Sequence, residues 1–467
     1  MRVTELDLTA WGGTVHSRSL VAEVASIEDC EKALEIATTK QLSIALRGNG
    51  CSHADPCQND GGMVINTTYF NRILAFSEES GLLTVEPGVS FADALRVVVP
   101  VGWIVPCAPG SLDVTFGGAM SFDVHGKDSL NNGSFGDHIM SFKVLDASGN
   151  LRHLDRQQDK EIFDVVVGGM GLFGIVVEIT LQLQKIPSSF LDVTKTSTRS
   201  VIEALQLLDN EEGPSHDYAI GWMDTFASGS SVGRGFMTAA RWSRESYDVS
   251  GFDLTKLLST KTKMFGILES RFFWRAAKPF FRPLFVRWAN FSFYMLGQLL
   301  YGKGSESKKF FSNYIYIHNM IPDVNKVYQP EGLVTCQLLI PRDLGHDAVL
   351  QMLTLCQKHD IASMMAGLKR RRNNDRPLSF AGDGYSFSID ITRRRFTDKD
   401  LTKRLSAVYE AVLDLGGVVY LAKDDRLPAN YFKQMYPRWQ EFWKVKEKVD
   451  PSFRFMNDQA RRLFEVD

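Results

Sequence analysis

Between Val21 and Leu46 the apolar positions alternate, then recur at helical spacing, then alternate again, which predicts strand, helix, strand. Ser26 stands where a helix N-cap belongs, ahead of acidic residues and of Ala33, Leu34, Ile36 and Ala37 on one face. Ser43-Ile44-Ala45-Leu46 runs straight into Arg47-Gly48-Asn49-Gly50-Cys51-Ser52-His53. A strand that feeds such a turn can converge its backbone N–H groups on an anion, with Arg47 adding charge. GGMVINTTYFNRI and GLLTVEPGVSFADAL predict two more strands, the second ending on Pro87-Gly88 before a helix, and SFKVLDASGNLRHL a hairpin about Ser148-Gly149. Beyond Phe190, GLVTCQLLIP predicts a strand and His346 to Lys358 a helix. In GYSFSID, alternation sets Tyr385, Phe387 and Ile389 on one face and Ser386, Ser388 and Asp390 on the other. Val418 to Asp424 reads as a last strand, and the run Lys369 to Arg372 as a turn with solvated arginines.

The densest glycine pattern lies between Ala108 and His138, where Pro109-Gly110, Gly117-Gly118, His125-Gly126-Lys127 and Gly133 to Gly136 alternate with apolar runs. Glycine serves where backbone must turn with positive φ or approach something closely, so this stretch is read as main chain laid against a large ligand. A second glycine cluster, Gly169 to Gly174, spells GxGxxG after an apolar run read as a strand. A dinucleotide site of that motif needs a helix after the glycines, whereas Ile175 to Leu183 alternates as a strand. The segment is therefore a turn between strands.

A chain of 467 residues exceeds one ordinary core, so two domains are expected. A net charge of -2 gives no reason to expect nucleic acid. No run of about eighteen apolar residues predicts a spanning helix, and acidic residues occupy the N-terminus where a signal peptide is apolar. The expected location is cytoplasmic or peripheral to a membrane. Six cysteines without CxxC pairs near histidine point to reduced thiols and to no metal site.

RGNGCSH, PGSLDVTFGGAMSFDVHGK, GSFGDH and GGMGLFGIV, in this order, resemble the FAD domain of the vanillyl-alcohol-oxidase (PCMH-type) flavoprotein superfamily. With TAWGGT, GGVVYLAKDDR, MYPRW and KVDPSFRFMNDQARRL added, the chain is similar to the decaprenylphosphoryl-β-D-ribose 2′-oxidase branch over almost its whole length. The resemblance implies an α+β fold: a PCMH-type FAD-binding domain over 1–190, a substrate domain on an antiparallel sheet over 191–417, and a return to the first domain over 418–467. It implies FAD held by Arg47, Gly48, Asn49, Gly50, Cys51, Ser52 and His53, and by Pro109, Gly110, Ser111, Val114, Thr115, Gly117, Gly118 and Ala119. Val124, His125, Gly126 and Tyr420 would approach the isoalloxazine, and Gly171 and Val176 the adenine side. Covalent members carry histidine where this chain has Cys51, so a non-covalent flavin is expected. His53 stands where relatives of the ribose oxidase often have tyrosine.

The implied reaction is oxidation of a secondary sugar hydroxyl to a ketone by hydride transfer to flavin N5, the first half of an epimerisation that an NAD(P)-dependent reductase partner would complete. The implied substrate is a polyprenyl-phosphate pentose, with Lys423, His125, Lys127 and Tyr420 at the reacting centre. Lys127, Gln337, Lys369, Ser386, Ser388 and Lys423 would hold the substrate, Ser388 replacing a cysteine common in relatives. Within 261–304, seven Lys/Arg and one acidic residue between Lys261 and Arg287 interleave with aromatics, and Pro279 and Pro283 favour short helices. This insertion is expected to touch a membrane interface. A sugar-alcohol or aldonolactone oxidase, and a non-catalytic flavoprotein partner of a reductase, are the alternatives.

Overall fold

The computed structural model describes residues 1–210, 216–244, 263–264, 268–269, 273–281, 283–302, 304–317, 324–363 and 366–466. Only parts of the expected insertion 261–304 are therefore described; the rest lies outside the described residues.

The N-terminal strand–helix–strand forms as its pattern requires. Ser26 Oγ accepts from the Asp29 amide at 3.2 Å, capping the Ile27–Thr39 helix, which buries Ala33, Leu34 and Ala37. That helix leads into the Ile44–Arg47 strand, which with Met63–Asn66, His16–Glu23 and Arg2–Thr9 makes a four-stranded sheet. A second, antiparallel sheet runs Ile73–Phe76, Leu82–Val85, Ile175–Gln182, Ile139–Leu145, Leu151–Asp155. The C-terminal segment comes back to this region: Met456 donates to the Ile44 carbonyl at 2.9 Å, and Lys446 to the Leu172 carbonyl at 2.7 Å.

The remaining chain builds one eight-stranded antiparallel sheet in the order Ser305–Phe310, Phe190–Thr198, Gly235–Trp242, Tyr218–Met223, Ala366–Arg371, Gly384–Thr392, Leu333–Pro341, Val418–Val419. Register defines its two faces. Lys369 pairs with Ser386, Ser386 with Leu339, Ser388 with Gln337 and Asp390 with Thr335. Because paired residues share a face, Lys369, Arg371, Ser386, Ser388, Asp390, Thr335 and Gln337 all look one way. The opposite face carries Leu338, Phe387 and Leu368, fully buried.

Four local expectations need correction. Lys160–Val166 is a helix, so the glycines at 168–174 join a helix to a strand rather than two strands. The last strand stops at Val419, and Lys423 donates its amide to the Tyr420 carbonyl at 3.1 Å in a turn. The Lys369–Arg372 run is mostly strand: Ala366–Arg371 lies inside the sheet, with Arg370 and Arg371 buried. Pro283 does open a helix, but one of 19 residues, Pro283–Tyr301, not a short piece.

Candidate active site

The two glycine-rich loops face each other. Asn49 Nδ2 donates to the Asp113 carbonyl at 2.7 Å, tying the 47–53 turn to the 108–119 segment. A Cβ on Gly48 would lie 2.2 Å from Thr115 Oγ1, and one on Gly117 would lie 3.0 Å from Pro87 Cβ. Gly171, at φ +72°, packs against Leu46 from a third side. Around them Gly110, Ser111, Val114, Gly118, Cys51, Ser52 and Val176 are half-buried, whereas Thr115 and Ala119 are buried beneath. Small residues and close backbone thus converge from three segments, a composition suited to a dinucleotide. Arg47, expected at a phosphate, also has protein partners. Its guanidinium donates to the Thr9 carbonyl at 3.0 Å and to Cys57 Sγ at 3.3 Å, bracing its own loop. Burial, then Asp113, pushes the Cys51 thiol up to about 12, so it carries no thiolate near neutral pH.

Next to these segments, His125 is buried between Phe380 and Tyr420, with ring centroids 5.4 and 5.0 Å away. Its Nε2 lies 2.9 Å from Gln337 Nε2, so that nitrogen must be the acceptor and Nδ1 carries the proton. Burial, then Arg371, Lys369 and Lys423, hold His125 well below its ordinary value, so it is neutral at pH 7. Tyr420 donates its hydroxyl to the Phe122 carbonyl at 3.1 Å and its amide to the Gln337 carbonyl at 2.9 Å, fixing the turn that presents Lys423. Val124 and Gly126 flank His125; a Cβ on Gly126 would meet Asp128 Oδ1 at 2.1 Å.

Beyond Gln337 a polar chain crosses the sheet. His53 Nδ1 is 2.9 Å from Thr335 Oγ1, and Thr335 donates to Asp390 Oδ1 at 2.9 Å. Trp11 stacks on His53 at 4.3 Å. Burial raises the Asp390 carboxyl, and the nearby Lys423 pulls it back; Lys423 itself is lowered by burial. Lys127 and Lys369 are each lowered to about 7, again first by burial. Lys127 is not free to roam: its ammonium donates to the Tyr314 carbonyl and sits 4.7 Å from that ring's centroid. It forms the cleft wall, while Lys369 stands half-buried on the sheet face.

A loop between two strands of the large sheet closes the cleft, and a buried ion-pair network fixes it. Asp123, fully buried, accepts from Arg376 at 2.9 Å, Asn374 at 3.0 Å, Ser134 at 2.9 Å, Ser379 at 2.5 Å and the Gly136 amide at 2.8 Å. Phe380, one residue past Ser379, is thereby held on His125 and Tyr420.

Residues 19–155 match the family model of an FAD binding domain, and residues 306–463 match that of D-arabinono-1,4-lactone oxidase. Decaprenylphosphoryl-beta-D-ribose oxidase from Mycolicibacterium smegmatis is 27% identical over 98% of this chain and 97% of its own. The chain belongs to the PCMH-type FAD-dependent oxidoreductases. L-gulonolactone oxidase from Bos taurus is 24% identical over 94% of this oxidoreductase and 93% of its own length. The glycolate oxidase subunit GlcD from Bacillus subtilis is 28% identical over 35% of this chain and 36% of its own. FAD is the cofactor and the donor group is CH–OH; the non-catalytic alternative falls away.

In this flavoprotein the sheet and the glycine-rich region bring together His125, Tyr420, Lys423, Gln337, Lys369, Ser386 and Ser388, as the sequence implies. Arg47 and Lys127 also meet protein partners, Thr9 and Cys57 for the first and Tyr314 for the second. Sequence reasoning misses Arg371 altogether. The signal was present: Lys369 and Arg371 are two apart, so a strand places both on the face of Ser386.

Proposed function

We propose that this oxidoreductase oxidises a secondary hydroxyl of a polyprenyl-phosphate-linked pentose, the 2′-hydroxyl of a decaprenylphosphoryl-β-D-ribose type substrate, to the keto sugar. The observation that carries this reading is the charge of the cleft. Lys369, Arg371 and Lys423 converge there and Lys127 stands in the wall, while Asp390 faces Lys423, Asp128 acts on Lys369, and Asp123 and Asp137 act on Arg371. A neutral lactone or sugar alcohol leaves all of those cations uncompensated, whereas a phosphodiester brings an anion to Lys369. When bound without a covalent link, FAD would supply the two-electron acceptor, and its reduction would bring negative charge to the cleft. Lys423 stabilises that charge, Lys369 holds the phosphate, and Gln337 keeps neutral His125 oriented toward the sugar. The hydroxyl proton leaves toward Asp390 Oδ1, whose carboxyl burial has raised, with Thr335 and His53 behind it. An NAD(P)-dependent reductase then completes an epimerisation.

The test is anaerobic bleaching of the flavin. A polyprenyl-phosphate pentose should bleach it at least tenfold more efficiently than the free pentose or an aldonolactone. Lys127 and Lys369 are cationic below about pH 7 and neutral above it, so that preference should shrink as pH rises through 7 to 9. Equal bleaching by the lactone, or a preference that grows with pH, points to the aldonolactone reading instead.

The lipid tail has a matching surface. Among the described residues no helix is long and apolar enough to cross a membrane. The Pro283–Tyr301 helix instead packs Phe293 edge-on against Trp222 at 4.7 Å and Tyr294 on Phe236 at 5.8 Å, on the sheet face that bears Lys369. Its outer side exposes Trp288 (61%), Leu296, Leu299 (83%) and Leu300, and its one charged residue is Arg287. We assign this face to an anionic lipid surface, where apolar groups enter and the arginine meets headgroups. Replacing Trp288 and Leu299 together with Ser should weaken co-sedimentation with phosphatidylglycerol vesicles more than tenfold, each side chain being worth about 1.5–3 kcal/mol. Unchanged co-sedimentation sinks the assignment.

A further inference from the structure

Arg371 is 1% exposed, yet its Nε and Nη1 hydrogens meet no acceptor among the described residues. Its Nη2 donates to the Phe380 carbonyl at 2.6 Å, and its guanidinium carbon sits 5.6 Å from the Phe380 ring. That ring also packs on His125 and, at 4.9 Å, on Tyr420. Arg371 is therefore one strand step beyond Lys369, on the cleft face, beside the residues assigned to the reacting centre. It does not stand alone in being unsatisfied. Ser386 Oγ, also 1% exposed and paired in register with Lys369, has no partner, and neither has His125 Nδ1.

Buried polar groups are nearly always hydrogen-bonded, and three unsatisfied ones converging on one cleft describe the complement of a ligand. Arg371 decides its charge. The nearest carboxylate in its surroundings, Asp123, already serves Arg376 and four other donors. Asp390 lies three strand steps away in the register, beside Lys423. One phosphodiester charge, held by Lys369, leaves the buried Arg371 guanidinium only Asp123 and Asp137, carboxylates that it shares with Arg376, which is unfavourable in a dry site.

We propose that the sugar oxidised here bears a second anionic substituent, a carboxylate or a further phosphate, and that Arg371 with Ser386 is the subsite that receives it. The inference rests on the cleft being a sugar site, and it narrows the substrate class to acidic sugars. It also gives Arg371 a binding role separate from proton transfer at Asp390 and charge stabilisation at Lys423.

The experiment is a titration of the FAD-loaded protein, followed by the change in flavin absorbance, with D-ribonate, D-ribose and inorganic phosphate. The carboxylate sugar should bind at least tenfold more tightly than the neutral one. That preference should collapse toward unity in Arg371→Met and survive in Arg371→Lys, with flavin content unchanged in both. Weak binding of inorganic phosphate alone shows that the anion must be carried by the sugar. Equal affinity for D-ribonate and D-ribose in the wild type, or a preference intact in Arg371→Met, overturns the subsite while leaving the sugar site standing. Phosphate binding as tight as D-ribonate makes the ligand a free anion and overturns it too. If neither sugar perturbs the flavin, the sugar site itself is lost and the subsite with it.

Discussion

Lys423→Ala should purify yellow and stay yellow: full flavin content, and reduction by substrate slowed by about 10²–10³-fold or more, the loss typical of removing one preorganised charge-stabilising group. The argument starts from the turn. Tyr420, locked by the Phe122 and Gln337 carbonyls, delivers Lys423 into the cleft opposite Asp390. Removing the ammonium has two consequences that must be separated. Negative charge arriving on the cofactor loses its counter-ion, and the buried Asp390 carboxylate loses the cation that holds its pKa down. The second effect raises Asp390 further, so the single variant should keep a protonated Asp390 over a wider pH range. Asp390 is the assigned proton acceptor, so pH and not its removal separates the two effects. If the lysine acts by tuning the carboxylate, raising the pH re-ionises Asp390 and restores reduction in Lys423→Ala. If reduction stays slow at every pH, the loss belongs to charge stabilisation. Normal bleaching at about 450 nm, the flavin band, in Lys423→Ala refutes both roles.

Where a signal was local, the sequence carried it. Ser26, with helical spacing behind it, names its own helix, and GYSFSID names both faces of its strand, because cap and pleat are set by neighbours along the chain. The apolar run before Gly168 misleads because a short apolar run reads equally as buried strand or buried helix. Arg47 and Lys127 show a different limit. Both belong to motifs that favour a ligand, but Thr9, Cys57 and Tyr314, distant in sequence, claim some of their donors.

The arginine run shows the same limit most sharply. A block of like charges reads as solvated because burying it unaided is prohibitive. Here long-range partners alter the balance for Arg370: its Nε lies 3.3 Å from Asp209, and its Nη1 pairs with Asp383. Strand alternation then turns Arg371 to the opposite face, where Asp123 and Asp137 favour its charge but both are already paired with Arg376. Alternation puts the two arginines on opposite faces, but residues 369–372 alone do not say which face offers a carboxylate. The charge of the cleft, and hence the substrate class, is set by which of them finds a carboxylate.

Arg376→Met should be the most damaging substitution outside the cleft. Arg376 and Asp123 are 4% and 0% exposed, and the pair anchors the loop that carries Phe380. Burial pushes the Asp123 carboxyl up, but Arg376 and the surrounding donors outweigh it, leaving it below the ordinary value. A carboxyl whose folded pKa is depressed contributes stability above its unfolded value, near 4, and loses it as pH falls through the folded one. Deleting the guanidinium strands a buried charge, a change that costs about 3–5 kcal/mol at pH 7. The variant carboxyl, with burial unopposed by Arg376, shifts upward and binds a proton more readily in the folded state. The gap in unfolding midpoint between wild type and variant should therefore be widest at pH 7–8 and narrow toward pH 4. Arg376→Met with Asp123→Asn should recover much of the loss at neutral pH, since the fully buried charge is no longer stranded and Asp137, partly exposed, keeps Arg372 at 3.7 Å. A gap that does not change with pH, or that the second substitution fails to reduce, means that the loop is held by packing around Phe380 and not by this ion pair.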